Sequence, residues 1–262
     1  DDGEKAEGVA ERSVKPVACG VALRLRVGEK SKLCDFGRQP FQPSPVVRSS
    51  NKLERSRNEA MPEGHKTHFI ANEHDGLFSG QRLRVTSPQG RFGSDARKVS
   101  GRMLQSVRAA GKHLFYSFDG NRIVHIHLGR YGKFRLHNSL PPAPVGQVRV
   151  RMKSDANAID LNGPTTCRVI DPTKQQEVID ALGPDPLAGG RKSEVGKNIR
   201  GSRKPIGALL LDQSVVAGVG NIFRAEVLFE VELDPEIPGD ELSRESFDRL
   251  WRSLTKMMKT GL

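Results

Sequence analysis

Between Arg82 and Asp171 the chain breaks into short runs of alternating apolar and polar residues, and after Gly183-Pro184-Asp185-Pro186 it turns to helical periodicity. The runs are residues 82–87, 113–119, 122–128, 133–137, 147–153 and 165–171, and several meet at turn signals such as Asp119-Gly120-Asn121 and Tyr131-Gly132. Closely spaced strands of this kind predict a largely antiparallel sandwich or barrel. Helices are expected over residues 63–77, 194–200, 206–211, 221–230 and 244–259, the last with Ser243 as N-cap. The fold class that follows is α+β: an N-terminal helix, an antiparallel β-sandwich, then a helical domain, with a cleft between the two parts. The domain bounds read this way are 61–186 and 187–262.

Residues 1–60 lack periodic apolar pattern and are dense in breakers, including Gln39-Pro40 and Gln42-Pro43-Ser44-Pro45, so this stretch reads as a mostly disordered extension or a misplaced start. It has no uninterrupted apolar core and does not read as a secretory signal. The 42 Lys and Arg against 31 Asp and Glu give a net charge of +11. Most of that excess, 30 basic against 22 acidic, falls after residue 60, as expected of a folded surface that meets phosphates. No apolar stretch approaches the ~18 residues of a membrane span, so no membrane partner is expected. Cys19, Cys34 and Cys167 are too scattered for a metal knuckle and too few for a disulfide scaffold, which points to an intracellular setting, cytoplasmic or nucleoid-associated.

Four segments can carry chemistry. Met61-Pro62-Glu63-Gly64-His65 would expose Pro62 as a secondary amine once the methionine is removed, with Glu63 beside it to handle a proton. A terminal amine has a pKa of about 7.7–8.0 and is far more often unprotonated at neutral pH than a lysine; the same residues would equally serve a helix start. Gly111-Lys112-His113 places a lysine directly before a strand. His127-Leu128-Gly129-Arg130-Tyr131-Gly132-Lys133 is a hairpin whose tip offers a cation and an aromatic, the pair that can fill a gap left by an extruded base. His125 and His127 lack partner spacing for zinc. Leu211-Asp212-Gln213, followed by Gly218-Val219-Gly220-Asn221, sets a glycine turn before a helix N-terminus, a design that suits a phosphate and also a plain packing turn.

Together these segments resemble the DNA glycosylase/AP lyases comprising formamidopyrimidine-DNA glycosylase and endonuclease VIII, from Met61 through the rest of the chain, with the start and the hairpin closer to the endonuclease VIII branch. The resemblance implies removal of oxidised bases, pyrimidines in that branch, from damaged double-stranded DNA by a monomer. It makes Pro62 the nucleophile, Glu63 the acid for ring opening and base loss, and Lys112 a proton donor in the cleft. Gly218, Gly220 and Asn221 would grip phosphates of a helix-two-turn-helix element, while Arg130 and Tyr131, with Lys133 close behind, would probe the vacated space. The family normally adds a four-cysteine zinc finger; those cysteines do not occur before Leu262, so no metal or other cofactor is expected in this chain, which reads as cut short of the finger. Joined to Ala60-Met61, the Pro62 nitrogen is a tertiary amide and cannot form an imine, which favours a start at Met61. The competing reading is a damaged-DNA-binding protein without catalysis; an RNA-associated module leaves Pro62-Glu63 and Gly111-Lys112 unexplained.

Overall fold

The computed structural model describes residues 62–138 and 141–261; the expectation for residues 1–60 lies outside them. Helix α1 (Gly64–Phe78) buries Thr67, Ile70, Ala71, His74 and Phe78, the three- and four-residue spacing of one helical face. It packs on the first of two four-stranded antiparallel sheets. That sheet has the order β2 (Leu104–Ala110), β3 (His113–Phe118), β4 (Arg122–His127), β8 (Thr166–Ile170). The second has the order β1 (Arg84–Thr86), β6 (Val148–Lys153), β7 (Ala158–Asn162), β5 (Lys133–His137). Leu114, Tyr116, Val124 and Ile126 from one sheet meet Val85, Val150, Met152, Ile159 and Leu161 from the other, so the sandwich expected from alternation is the one formed. Helix α2 (Gly93–Val99) closes one end, and α3 (Pro172–Asp180) covers the outer face of the first sheet through Val178 and Ile179 over Phe115, Ile123 and Ile170.

Two strands and two helices escaped the periodicity reading for local reasons. In β2 a bulge between Leu104 and Ser106 breaks the two-residue period. In β7 the residues Ala158, Ile159, Asp160 and Leu161 are all buried, so no alternation exists to be seen. Helix α3 begins where a strand was expected to end: the Asp171 side chain accepts from the Lys174 N–H and Pro172 occupies the first turn. Helix α2 is only seven residues long and leaves too few turns to register as periodic.

The helical part contains α4 (Lys192–Arg200), α5 (Ile206–Leu209), α6 (Asn221–Glu230) and α7 (Arg244–Thr260) around a second core of Ile199, Ile206, Val216, Phe223, Val227 and Leu250. Ser243 caps α7 by accepting from the Ser246 N–H. Helix α5 stops at Leu209, two residues before the expected end. The Gly183–Pro186 stretch is pinned on both sides: Gly183 N–H donates to the Gln213 carbonyl at 2.8 Å and Ala217 N–H to the Pro184 carbonyl at 3.1 Å. Among the described residues no helix is long and apolar enough to cross a membrane.

Candidate active site

Three sequence-distant turns meet through their glycines. Gly64 N–H donates to the Gly218 carbonyl at 2.8 Å, and a Cβ on Gly64 would lie 2.8 Å from the Gly218 Cα. Gly111, with φ +54, presses on the same turn: its Cβ would stand 3.1 Å from the Ala217 Cβ and 3.3 Å from the Gly218 nitrogen. Gly218, at φ +89, is left-handed, and its amide donates to the Gln213 side-chain oxygen at 3.0 Å. Gln213 also donates to the Leu211 and Val219 carbonyls, so one side chain laces the whole turn. This backbone contact brings half-buried Pro62, buried Glu63 and half-buried Lys112 to one place.

The N-terminus of α6 differs from the open phosphate cradle that its glycines suggest. Glu63, only 1% exposed, fills it: its carboxylate accepts from the Gly220 N–H at 2.9 Å, the Ile222 N–H at 2.7 Å and the Phe223 N–H at 3.3 Å. An internal carboxylate thus meets the positive end of the helix, 157 residues away in sequence. The Gly218 and Gly220 amides are both spent inside the protein, and those glycines serve close approach; a Cβ on Gly220 would lie 2.5 Å from the Glu63 carboxyl. Asn221, the first residue of α6, is exposed.

Lys112 follows the Gly111 turn. Burial lowers its pKa from the ordinary lysine value, and the nearby Glu63 carboxylate opposes that drop. Burial likewise lowers His65, whose ring stands edge-on to Phe223 at 4.9 Å with Nδ1 buried and unpartnered among the described residues. Sequence reasoning missed Asp185. It is buried, and its carboxylate accepts from the Gly111 N–H at 2.7 Å and the Leu187 N–H at 2.8 Å and pairs with His68 Nε2 at 2.8 Å. It therefore ties helix α1, the Lys112 turn and the inter-domain stretch together. Burial pushes its carboxyl up, but the His68 contact and the two amides outweigh that and hold it below the usual range. An acid between two prolines at a linker was its sole sequence signal.

Tyr131 is 75% exposed, and the Arg130 guanidinium lies 5.5 Å from its ring centre. The turn that follows β7 braces this tip: a Cβ on Gly163 would sit 3.0 Å from the Tyr131 carbonyl oxygen, and one on Gly129 would overlap the Thr165 hydroxyl. Lys133, exposed, opens β5 just behind. His113, His125 and His127 cluster on the outer face of the first sheet, with His113 Nδ1 2.9 Å from His125 Nε2. Burial and neighbouring cationic groups bring His113 to about 3 and His125 to about 4, so the imidazoles are neutral at physiological pH.

Comparison with known proteins covers both parts of the chain. The model of the formamidopyrimidine-DNA glycosylase N-terminal domain matches residues 61–174, and that of the formamidopyrimidine-DNA glycosylase H2TH domain matches 182–262. Endonuclease 8 1 of Mycobacterium tuberculosis is 45% identical over 207 residues, covering 77% of each chain. The chain belongs to the formamidopyrimidine-DNA glycosylase and endonuclease VIII family. Its likeness to the formamidopyrimidine-DNA glycosylase of Thermus thermophilus is lower, 30% over 190 residues, covering 70% of this chain and 68% of that one. The Lactococcus lactis formamidopyrimidine-DNA glycosylase, solved non-covalently bound to DNA containing an AP site, has the same fold: TM-score 0.68, 22% identity, 76% of this chain and 80% of that one covered. Among the described residues no group of three or more His, Cys, Asp or Glu could hold a metal ion. Cys167 is a free thiol whose pKa burial pushes up to about 12.

Proposed function

We propose that this protein is a DNA glycosylase with AP lyase activity, a base-excision-repair enzyme that acts on duplex DNA as an intracellular monomer and prefers oxidised pyrimidines. The observation that carries the reading is the glycine-to-glycine docking that gathers Pro62, Glu63 and Lys112 at the start of α6. Flipping a damaged nucleotide out of the stack costs a few kcal/mol, least where pairing is already impaired. Arg130 and Tyr131, on a braced and exposed tip, fill the space left behind. Pro62, freed as an amine, attacks the sugar's anomeric carbon; a C–N bond forms, the bond to the base breaks, and the base leaves with a proton. Glu63, fixed by its three amide bonds, assists ring opening and base loss from one position. The resulting iminium acidifies the neighbouring sugar carbon, which loses a proton while the 3′ phosphate departs. Lys112, its proton loosened by burial, donates in this cleft. Asn221 and the basic surface hold the flanking phosphates.

The test is excision on otherwise identical duplexes carrying one oxidised pyrimidine or one oxidised purine, using a chain started at Met61 and trimmed of that methionine so that Pro62 is the free N-terminus. Faster release of the pyrimidine, with strand cleavage, supports the reading. Lesion-selective binding without release of either base would instead identify a binding protein.

A further inference from the structure

The outer face of the second sheet carries cations on three of its four strands, β1, β6 and β5, on both sides of the cation-free β7. Register puts Arg84, Lys153, Ala158 and His137 in one row and Thr86, Arg151, Asp160 and Arg135 in the next, with Lys133 beside Asn162 beyond. Their partners in sequence, Val85, Val150, Met152, Ile159 and Leu161, point into the core, so alternation turns this set outward. Asp160 is the one carboxylate in these rows, and it is spent: Arg151 reaches it at 2.6 and 2.7 Å and His137 at 3.0 Å. Arg84, Lys133 and Arg135 are exposed and Lys153 half-buried, and none of the four has an acidic partner within salt-bridge distance among the described residues.

Adjacent strands lie about 4.8 Å apart and alternate residues along a strand about 6.8 Å apart, so these cations form a grid with no opposing charge left in it. Duplex DNA, with one charge per about 1.7 Å of axis, is complementary to such a grid. The grid is also continuous with the Arg130-Tyr131 turn, since Lys133 stands two residues after Tyr131; that turn is not the hairpin expected from sequence but the crossing from β4 of the first sheet to β5 of the second. We propose that this sheet face is a second contact surface for duplex DNA, one that holds phosphate backbone lying outside the cleft and lengthens the footprint beyond the lesion. The inference rests on the DNA-processing reading and adds to it a surface that touches no lesion.

The experiment measures equilibrium binding of the full 262-residue chain to a lesion duplex just long enough for the cleft and to one several turns longer, across a salt series. The comparison protein carries Arg84→Ser, Arg135→Ser and Lys153→Ser; a second set, all three to Gln, retains more of the aliphatic stems should the first fold poorly. The wild type should bind the long duplex with the steeper dependence on salt. The triple variant should lose up to about 2.7 of that log–log slope, three contacts at ~0.9 each, and bind the short duplex unchanged. Equal slopes for wild type and variant on the long duplex overturn the inference, as does an equal loss on both lengths. Loss of structured-RNA binding with long-duplex binding intact also overturns it. Lesion-dependent binding of the wild type to the short duplex reports separately on the DNA-processing reading; its absence defeats both.

Discussion

Gly220→Ala should disarm Glu63 without touching it. At φ −124 and ψ −165 the Gly220 backbone is extended and accepts alanine, so the substitution acts through space alone. Its Cβ would stand 2.5 Å from the Glu63 carboxyl carbon and Oε1, where ordinary contact begins near 3.4 Å. The carboxylate must retreat by about 1 Å, and a catalytic group misplaced by that much costs on the order of 10²-fold in rate. The retreat also breaks at least one of three charge-assisted hydrogen bonds, each about 1.5–3 kcal/mol. At 2–4 °C per kcal/mol for a protein of this size, Tm should fall by about 3–12 °C. The assay is single-turnover base excision on a duplex with an oxidised pyrimidine, alongside cleavage of a ready-made abasic site. Excision should drop by about two orders of magnitude and abasic-site cleavage by much less. Excision within twofold of wild type, with Tm moved by less than about 1 °C, would refute the account of Glu63 as a group fixed by the α6 amides.

Lys112 donates a proton in its protonated form, and burial lowers its pKa, so the alkaline limb of the cleavage profile should lie below the ordinary lysine value of 10.5. Lys112→Arg should carry that limb beyond the measurable range; an unmoved limb would assign it elsewhere. Asp185→Asn should cost about 1.5–3 kcal/mol of stability by leaving a buried donor without its carboxylate partner, and should slow strand cleavage through the displaced Lys112 turn. Thermal unfolding and the abasic-site assay check both, and a stable variant with normal cleavage would remove Asp185 as a positioning residue. His74, buried beside the Tyr116 hydroxyl at 2.6 Å, is held by burial at about 4 against an unfolded value of 6.5. The unfolded chain therefore takes up the proton first, and stability should be full above about pH 6.5 and fall by on the order of 3 kcal/mol as pH drops toward 4. Urea titrations at pH 7 and 5 test this, and His74→Gln should flatten the difference.

Much of this site was legible because its chemistry is local in sequence: Pro62-Glu63, Gly111-Lys112 and Gly218-Val219-Gly220 each stand out as short motifs. Their convergence was not legible, because it rests on a backbone contact between Gly64 and Gly218 that no single motif encodes. The α6 N-terminus shows the limit most clearly. A helix start after glycines is the same signal whether a phosphate or an internal carboxylate fills it, and the filler here lies 157 residues away. Asp185 was hidden for a related reason: its three partners come from α1, the Lys112 turn and its own loop. In the sandwich, β6 alternates cleanly between core and solvent and was read correctly, whereas β7, buried along its centre, carried no alternation.

The central claim, that Pro62 is the nucleophile, is tested most directly by borohydride reduction on an abasic-site duplex, with the trapped adduct mapped by peptide mass. The account predicts an adduct at Pro62 in a chain started at Met61 and trimmed of that methionine, and none when residues 1–60 remain attached, because the nitrogen is then an amide. An adduct on Lys112 or another lysine, or one of equal yield with residues 1–60 in place, would contradict it.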